Sequence, residues 1–361
     1  MRWNWQLLNW PHFTFNSDTI DQRERDFLLS VGHSAGYLKT IDKPDYRRFI
    51  VEILSLEGVE SAKIEGEILN RESLQSSIKR NFGLQSPPKR VTDKEAGMAK
   101  LLCTVYESFA EPLTHEMLWQ WHDLLFNQPG GYRTHTKLMQ IVSNRLDALH
   151  VFFEAPPSTQ IFDEMSAFIH WFNAPEPGSI LAKAAIAHVY FESIHPFEDG
   201  NGRIGRVLSE KILSQGMKRP ILIAMSKGLE KRKKDYYASL ELCNRTLEVT
   251  AWVDFFSSMI VSAHQESMNW LHFLIGKSKI LGRLSSLIND RQMKALLRMF
   301  EEGPSGFKGG LSAQNYLSIT KTTRATATRD LNDLVEKGAL TKTGELKHTR
   351  YHLKISGDLN F

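Results

Sequence analysis

Along most of the chain the apolar positions recur every three to four residues, the spacing of helices with one buried face. Ile53, Leu54, Leu56 and Val59 lead into residues 60–69, where Ile64 and Ile68 stand four apart and predict a shared helical face. Ser86-Pro87-Pro88 breaks the pattern and marks a soft boundary. Leu101, Leu102, Val105 and Phe109 then carry a helical core over about 92–125, with a fresh start predicted where Thr114 precedes Glu116-Met117-Leu118. Further helices are predicted over 162–171, 180–191 and 204–215, and a long helical tract over 236–287. The rhythm changes in two places. Residues 3–15 mix Trp, Asn and Pro and predict an irregular cap. Beyond the Gln128-Pro129-Gly130-Gly131 turn, residues 138–142 and 150–153 are short β-like runs that predict a hairpin.

The last part of the chain has its own order. Helices are expected at 291–300, 312–317 and 322–337, then two short strands within 340–355 around Gly344, which is the arrangement of a winged helix. The pattern predicts a mainly α protein in four segments: 1–90, 91–250, a helical connector over 251–284, and 285–361.

Composition narrows the class. In 361 residues, 42% are hydrophobic and 10% aromatic, as in globular proteins. No apolar run reaches the length of a membrane span, so no membrane partner is expected. Met1-Arg2-Trp3-Asn4-Trp5 lacks the apolar centre of a signal peptide, so a cytoplasmic location is expected. Cys103 and Cys243 offer neither a metal pattern nor a disulfide scaffold. Residues 285–361 hold 12 Lys and Arg against 8 Asp and Glu, leaving 33 of each before them. That weakly basic end permits DNA contact, with Arg324 and Arg329 placed to reach phosphates or base edges.

The densest chemistry lies in Ile194-His195-Pro196-Phe197-Glu198-Asp199-Gly200-Asn201-Gly202-Arg203-Ile204-Gly205-Arg206. Apolar helical stretches flank it, so it is a loop between buried helices. Gly200 and Gly202 can take positive φ and let backbone N–H groups converge at a helix N-terminus, which favours an anion. Arg203 and Arg206, three apart, can both fork onto phosphate oxygens. Asp199 is a hard oxygen ligand suited to Mg²⁺. His195, with an ordinary pKa near neutrality, suits a general base.

His-Pro-Phe-x-Asp-Gly-Asn-Gly-Arg-x-x-Arg resembles the signature of the Fic family, which mostly transfers AMP from ATP to protein hydroxyls. The resemblance covers about residues 94–247 and implies a Fic-type helical core with a β-hairpin flap, a small N-terminal domain before it and a winged helix after it. It implies ATP as substrate and Mg²⁺ as cofactor. By that resemblance His195 deprotonates a Ser, Thr or Tyr hydroxyl, and Asp199 holds Mg²⁺. Gly200, Asn201 and Gly202 form the anion nest, Arg203 neutralises the leaving pyrophosphate, and Arg206 grips the γ-phosphate. A target protein would dock at the 138–153 flap; self-modification and a homodimer are also expected.

Ser61-Ala62-Lys63-Ile64-Glu65-Gly66 resembles the family's inhibitory helix, expected near 57–70, with Ser61 and Glu65 on one face and Glu65 paired with Arg206. The same carboxylate can position water for AMP removal, so a deAMPylase using this site is the alternative. A DNA-binding regulator with a Fic-like sensor is another. Tyr236 and Tyr237 are expected to divide between the adenine pocket and the core, with Asn244 near the base or ribose. Arg133 is expected to brace the flap. His150 is read as a flap surface residue, and His188 as a core histidine.

Overall fold

The computed structural model describes residues 2–86, 89–142, 151–175 and 178–355; His150 and the tip of the expected hairpin lie outside the described residues. Among these, fourteen α-helices and two two-stranded antiparallel sheets are present. The chain forms two compact units, Met1–Gly36 with Ile50–Gln265, and Tyr37–Phe49 with Glu266–Phe361.

The first helices are α1 (Asp18–Leu38), α2 (Lys43–Ile64), α3 (Arg71–Asn81), α4 (Asp93–Glu107) and α5 (His115–Phe126). Side chains fix several starts. Thr92 accepts from the Glu95 N–H while Glu95 reaches back, and Thr114 accepts from Met117. Next come β1 (Gln140–Val142) and β2 (Val151–Glu154), which pair antiparallel with Ile141 opposite Phe153. They are followed by α6 (Ile161–Asn173), α7 (Ile180–Ile194) and α8 (Asn201–Gly216).

Helix α7 is buried on nearly every side, which its Leu-Ala-Lys-Ala-Ala-Ile-Ala composition permits. Small residues let α8 come close enough for Ser209 to donate to the Ala184 carbonyl at 3.0 Å. His188 is wholly buried in α7, and its Nε2 meets the Tyr236 hydroxyl at 2.8 Å. A Cβ on Gly205 would lie 2.9 Å from the His188 ring, so α8 needs glycine at that crossing.

The expected 236–287 tract is two helices preceded by a short one: α9 (Met225–Lys231), α10 (Lys233–Cys243) and α11 (Thr250–Leu284). The break has a tertiary cause. Thr14 exchanges backbone hydrogen bonds with Leu247 and Val249, each 2.8 Å, and Asn4 N–H donates to the Asn244 carbonyl. The N-terminal segment thus claims backbone groups that a continuous helix would use internally. The shared face of Ile64 and Ile68 also fails: α2 stops at Ile64, which is buried, and Ile68 is 94% exposed.

In the second unit, α12 (Asp290–Glu301), α13 (Ala313–Thr320) and α14 (Arg324–Glu336) precede the antiparallel pair β3 (Leu340–Thr343) and β4 (Arg350–Leu353). Leu296, Phe300, Tyr316, Leu331, Leu334 and Tyr351 fill its core. Asp330 is buried there, accepting from Arg291, Tyr316 and Asn289.

Candidate active site

The site grows from the turn between α7 and α8. His195 ends α7 in the left-handed conformation, φ 49°, and its N–H closes onto the Phe191 carbonyl. Gly200 opens α8 with φ 87°, and a Cβ there would also press to 2.7 Å on the Phe126 ring. Between them the loop is stitched shut. Asn201 accepts from the Phe197 N–H at 3.0 Å and donates to the Phe197 carbonyl at 2.9 Å, with Phe197 itself buried. The Asn201 side chain therefore clamps the loop rather than facing an anion; only its backbone N–H sits at the start of α8. Buried Arg133 donates to the carbonyls of His195 and Pro156, and its own N–H donates to Pro196. It thus joins the motif loop to the segment just beyond β2.

Gly202 differs from the expectation. It has ordinary helical backbone in α8, and its missing side chain matters for space: a Cβ would lie 2.4 Å from Glu65 Oε1 and 3.2 Å from Arg206 Nη1.

Arg203 and Arg206 project from the first two turns of α8, and both are buried. Arg206 donates from Nε to the Ser61 hydroxyl and from Nη2 to the Ser61 carbonyl, each 3.0 Å, and pairs with Glu65 at 2.9 Å. Burial works against its charge, but Glu65, Tyr236 and Glu57 outweigh it and raise its pKa. Arg203 lies over the Phe126 ring, pairs with Glu67 at 2.8 Å and stands 3.6 Å from Asp199. Arg203 Nε and Arg206 Nη1 are buried donors without a hydrogen-bond partner. Two unspent guanidinium N–H groups beside a helix N-terminus form a cradle for an anion.

His195 is pulled down to about 4 by burial and by the Arg133 charge, well below the neutral range its residue type alone implied. It is therefore a neutral imidazole at pH 7. Glu192 lies 3.7 Å from its Nδ1; burial and the Glu65 charge push that carboxyl up to about 8, against the pull of Arg206. Burial also raises Glu57, which accepts from the Ser226 N–H and hydroxyl, and Glu210.

Beside this turn a cavity of about 530 Å³ is lined by Ile141, Phe153, Glu192, Tyr237 and Asn244, among others. Of the two tyrosines, Tyr236 is buried against His188, while Tyr237 reaches the cavity and the Ile64 carbonyl. Asn244 donates its amide to the Phe152 carbonyl at 3.0 Å, so it fixes β2 to the cavity wall. Asp199 is 70% exposed, and one of its oxygens accepts from the Gly200 N–H. No cluster of three metal-ligating side chains occurs among the described residues. One exposed carboxylate beside an anion cradle nonetheless fits Mg²⁺, which takes one or two carboxylates and completes its shell with water and the oxygens of a bound phosphate.

Two residues escaped the sequence reading. Glu192 lies in the buried helix α7, where residue spacing gives no sign that its carboxyl faces His195. Glu67, which pairs with Arg203 and with Lys94, follows Gly66, and the glycine was the available signal that the chain turns there.

Residues 112–213 match the Fic/DOC family, and residues 3–84 match a domain of unknown function (DUF4172). A probable protein adenylyltransferase of Aquifex aeolicus is 29% identical over 47% of this chain and 48% of its own length. The protein adenylyltransferase Fic of Drosophila mojavensis is 35% identical over 22% of this chain and 15% of its own. The matches thus span about half or less of these curated relatives. A Fic family protein from Desulfovibrio desulfuricans superposes with a TM-score of 0.53 at 21% identity, over 96% of this chain and 99% of that one. A Fic domain containing signaling protein from Bacteroides thetaiotaomicron gives 0.52 at 19% identity, over 68% and 97%. No described helix is long and apolar enough to cross a membrane. The motif loop, the helical core around it and these likenesses agree: the chain has the Fic fold and carries a Fic/DOC family domain over residues 112–213.

Proposed function

We propose that the chain transfers AMP from ATP to a hydroxyl of a protein, and that Glu65 restrains it. The observation that carries this reading is the pair of buried arginines at the start of α8, each with an unspent N–H and each met by a carboxylate from the segment after α2. Carboxylates stand where phosphate oxygens would bind. The Aquifex and Drosophila relatives named as adenylyltransferases support the same chemistry.

In this reading the triphosphate lies along the N-terminus of α8, with the β- and γ-phosphates against Arg203 and Arg206. The adenine enters the cavity against Tyr237. Asp199 would hold Mg²⁺, which supplies charge neutralisation on the phosphates. Neutral His195 takes the proton of the acceptor hydroxyl as its oxygen bonds to the α-phosphorus. The α–β bridging bond breaks in line, and pyrophosphate leaves. The acceptor segment reaches His195 along β1, whose Ile141 and Val142 are more than one third exposed beside the cavity. An added strand is the natural docking mode for such an edge. Glu65 on Arg206 denies the γ-phosphate its seat.

Intact-protein mass spectrometry after Mg²⁺·ATP incubation tests the reading. Glu65→Gly should gain AMP on itself or on an added protein, whereas the parent chain should not. No adduct from ATP, GTP, UTP or CTP with a folded variant would overturn it.

A second reading concerns residues 285–361, and the charge layout of α14 favours it. Of its two aspartates, Asp330 is buried on Arg291 and Asp333 is paired with Lys337, leaving Arg324 and Arg329 exposed beside Lys321. We infer that this face meets duplex DNA phosphates. Anisotropy titrations across salt should show a steep slope for the full chain, reduced by about two when both arginines become alanine. An unchanged slope would remove the assignment.

A further inference from the structure

We propose that Gly66 makes the end of α2 a two-carboxylate clip, in which Glu67 blocks Arg203 as Glu65 blocks Arg206. The inference rests on the nucleotide-transfer reading above and extends its regulation.

The clip follows from how α2 terminates. A helix end leaves four carbonyls without intrahelical partners. Here the Ser61 carbonyl accepts from Arg206, and the Ala62 carbonyl accepts from the N–H groups of both Glu65 and Glu67. Lys63 accepts from Gly66 at 3.0 Å, and Ile64 from the Tyr237 hydroxyl at 3.4 Å. The bonds from Gly66 to Lys63 and from Glu67 to Ala62 are the paired closure of a helix by a left-handed residue, and Gly66 has φ 82°.

That closure sets the aim of both side chains. Glu65 ends the helix, and Glu67 is the second residue past it, after the chain has reversed around Gly66. One carboxylate falls on Arg206 Nη2 at 2.9 Å and the other on Arg203 Nη1 at 2.8 Å. Lys94, at the start of α4, holds the other oxygen of Glu67 at 2.8 Å. Both acidic side chains remain about one quarter exposed, while both arginines are buried. The restraint is thus reachable from solvent and the machinery it restrains is not.

Three consequences separate this from a single inhibitory glutamate. Removing Glu65 alone leaves Arg203 occupied. Removing both carboxylates takes Glu67 off Arg203 and leaves Arg206 only its Ser61 bonds at the end of α2. Altering Gly66 loosens both while keeping every charge, because an alanine Cβ there would meet nothing within 4 Å and only the backbone would object.

The test is calorimetric titration of Mg²⁺·ATP into the full chain and its Glu65→Gly, Glu67→Gln, double and Gly66→Ala variants. Peptide-resolved hydrogen exchange over residues 62–70 accompanies it. The double variant should bind ATP at least about threefold more tightly than Glu65→Gly, the loss expected of one charge-assisted contact. Gly66→Ala should bind more tightly than the parent chain and exchange the 65–67 amides faster. If the double variant equals Glu65→Gly and Gly66→Ala equals the parent in both readouts, the clip is wrong. If ATP binds no variant, the nucleotide reading fails, and exchange still decides the clip: Glu67→Gln must speed the 65–67 amides or the clip fails too. If binding rises as stated yet no AMP is transferred, only the reaction is wrong.

Discussion

Two glycine turns meet at the candidate site, and they are held by different means. Around Gly200 the loop is tied to buried backbone by two side chains: Asn201 on Phe197, and Arg133 on His195 and Pro156. Around Gly66 the backbone closure is equally regular, but beyond the Ser61 bonds to Arg206 the contacts that bind it to α8 run through Glu65 and Glu67, two part-exposed carboxylates. Buried hydrogen bonds are costly to break and little affected by ionic conditions; part-exposed ion pairs are neither. On the proposed reading, the difference separates a firmly held reaction loop from a restraint built to let go.

Asn201→Ala should break the comparison most severely. It strands a buried N–H and carbonyl of Phe197, which costs roughly 2–4 kcal/mol and should appear as a lower urea midpoint. A midpoint equal to the parent's would show that the loop is not held as described.

The glycines themselves sharpen it. Both have positive φ, so alanine strains either backbone by roughly 1 kcal/mol. At Gly200 the new Cβ also meets Phe126 at 2.7 Å, whereas at Gly66 it meets nothing within 4 Å. Gly200→Ala should therefore destabilise the chain more than Gly66→Ala by about 1–3 kcal/mol in the same urea measurement. Equal costs would mean that the Phe126 contact yields freely.

The pH profile is the mildest probe. A base must be neutral to act, so activity rises with pH through its pKa, and burial beside Arg133 has moved that value down to about 4. The acid limb of kcat/KM for Glu65→Gly, which reports the free enzyme, should fall below about pH 5. A limb centred near 6.5 would show that His195 is not the buried neutral group described.

Much of the rigid turn was legible from residue types. The crowding of His195, Asp199, two glycines and two arginines named the loop, and the helix start at Thr114 followed from its sequence context. What stayed hidden was set by distant parts of the chain. Nothing local to Asn244 announces that Asn4 and Thr14 will claim the backbone there and part α10 from α11. The Ile64–Ile68 spacing reads as one helical face because the reversal at Gly66 is decided by its left-handed backbone, which spacing does not encode. The clamp role of Asn201 was equally hidden, since an asparagine between two glycines reads as an anion ligand until its partners are seen. His195 lost its neutral-range pKa to burial, a property of the assembled site rather than of the residue.

The account turns on whether the carboxylates of Glu65 and Glu67 stand where phosphates bind. A crystal structure of the Glu65→Gly, Glu67→Gln chain soaked with Mg²⁺·ATP asks this directly. The account predicts triphosphate oxygens in hydrogen-bond contact with both Arg203 and Arg206 at the start of α8. A triphosphate bound elsewhere, with both arginines still turned toward the end of α2, would contradict it.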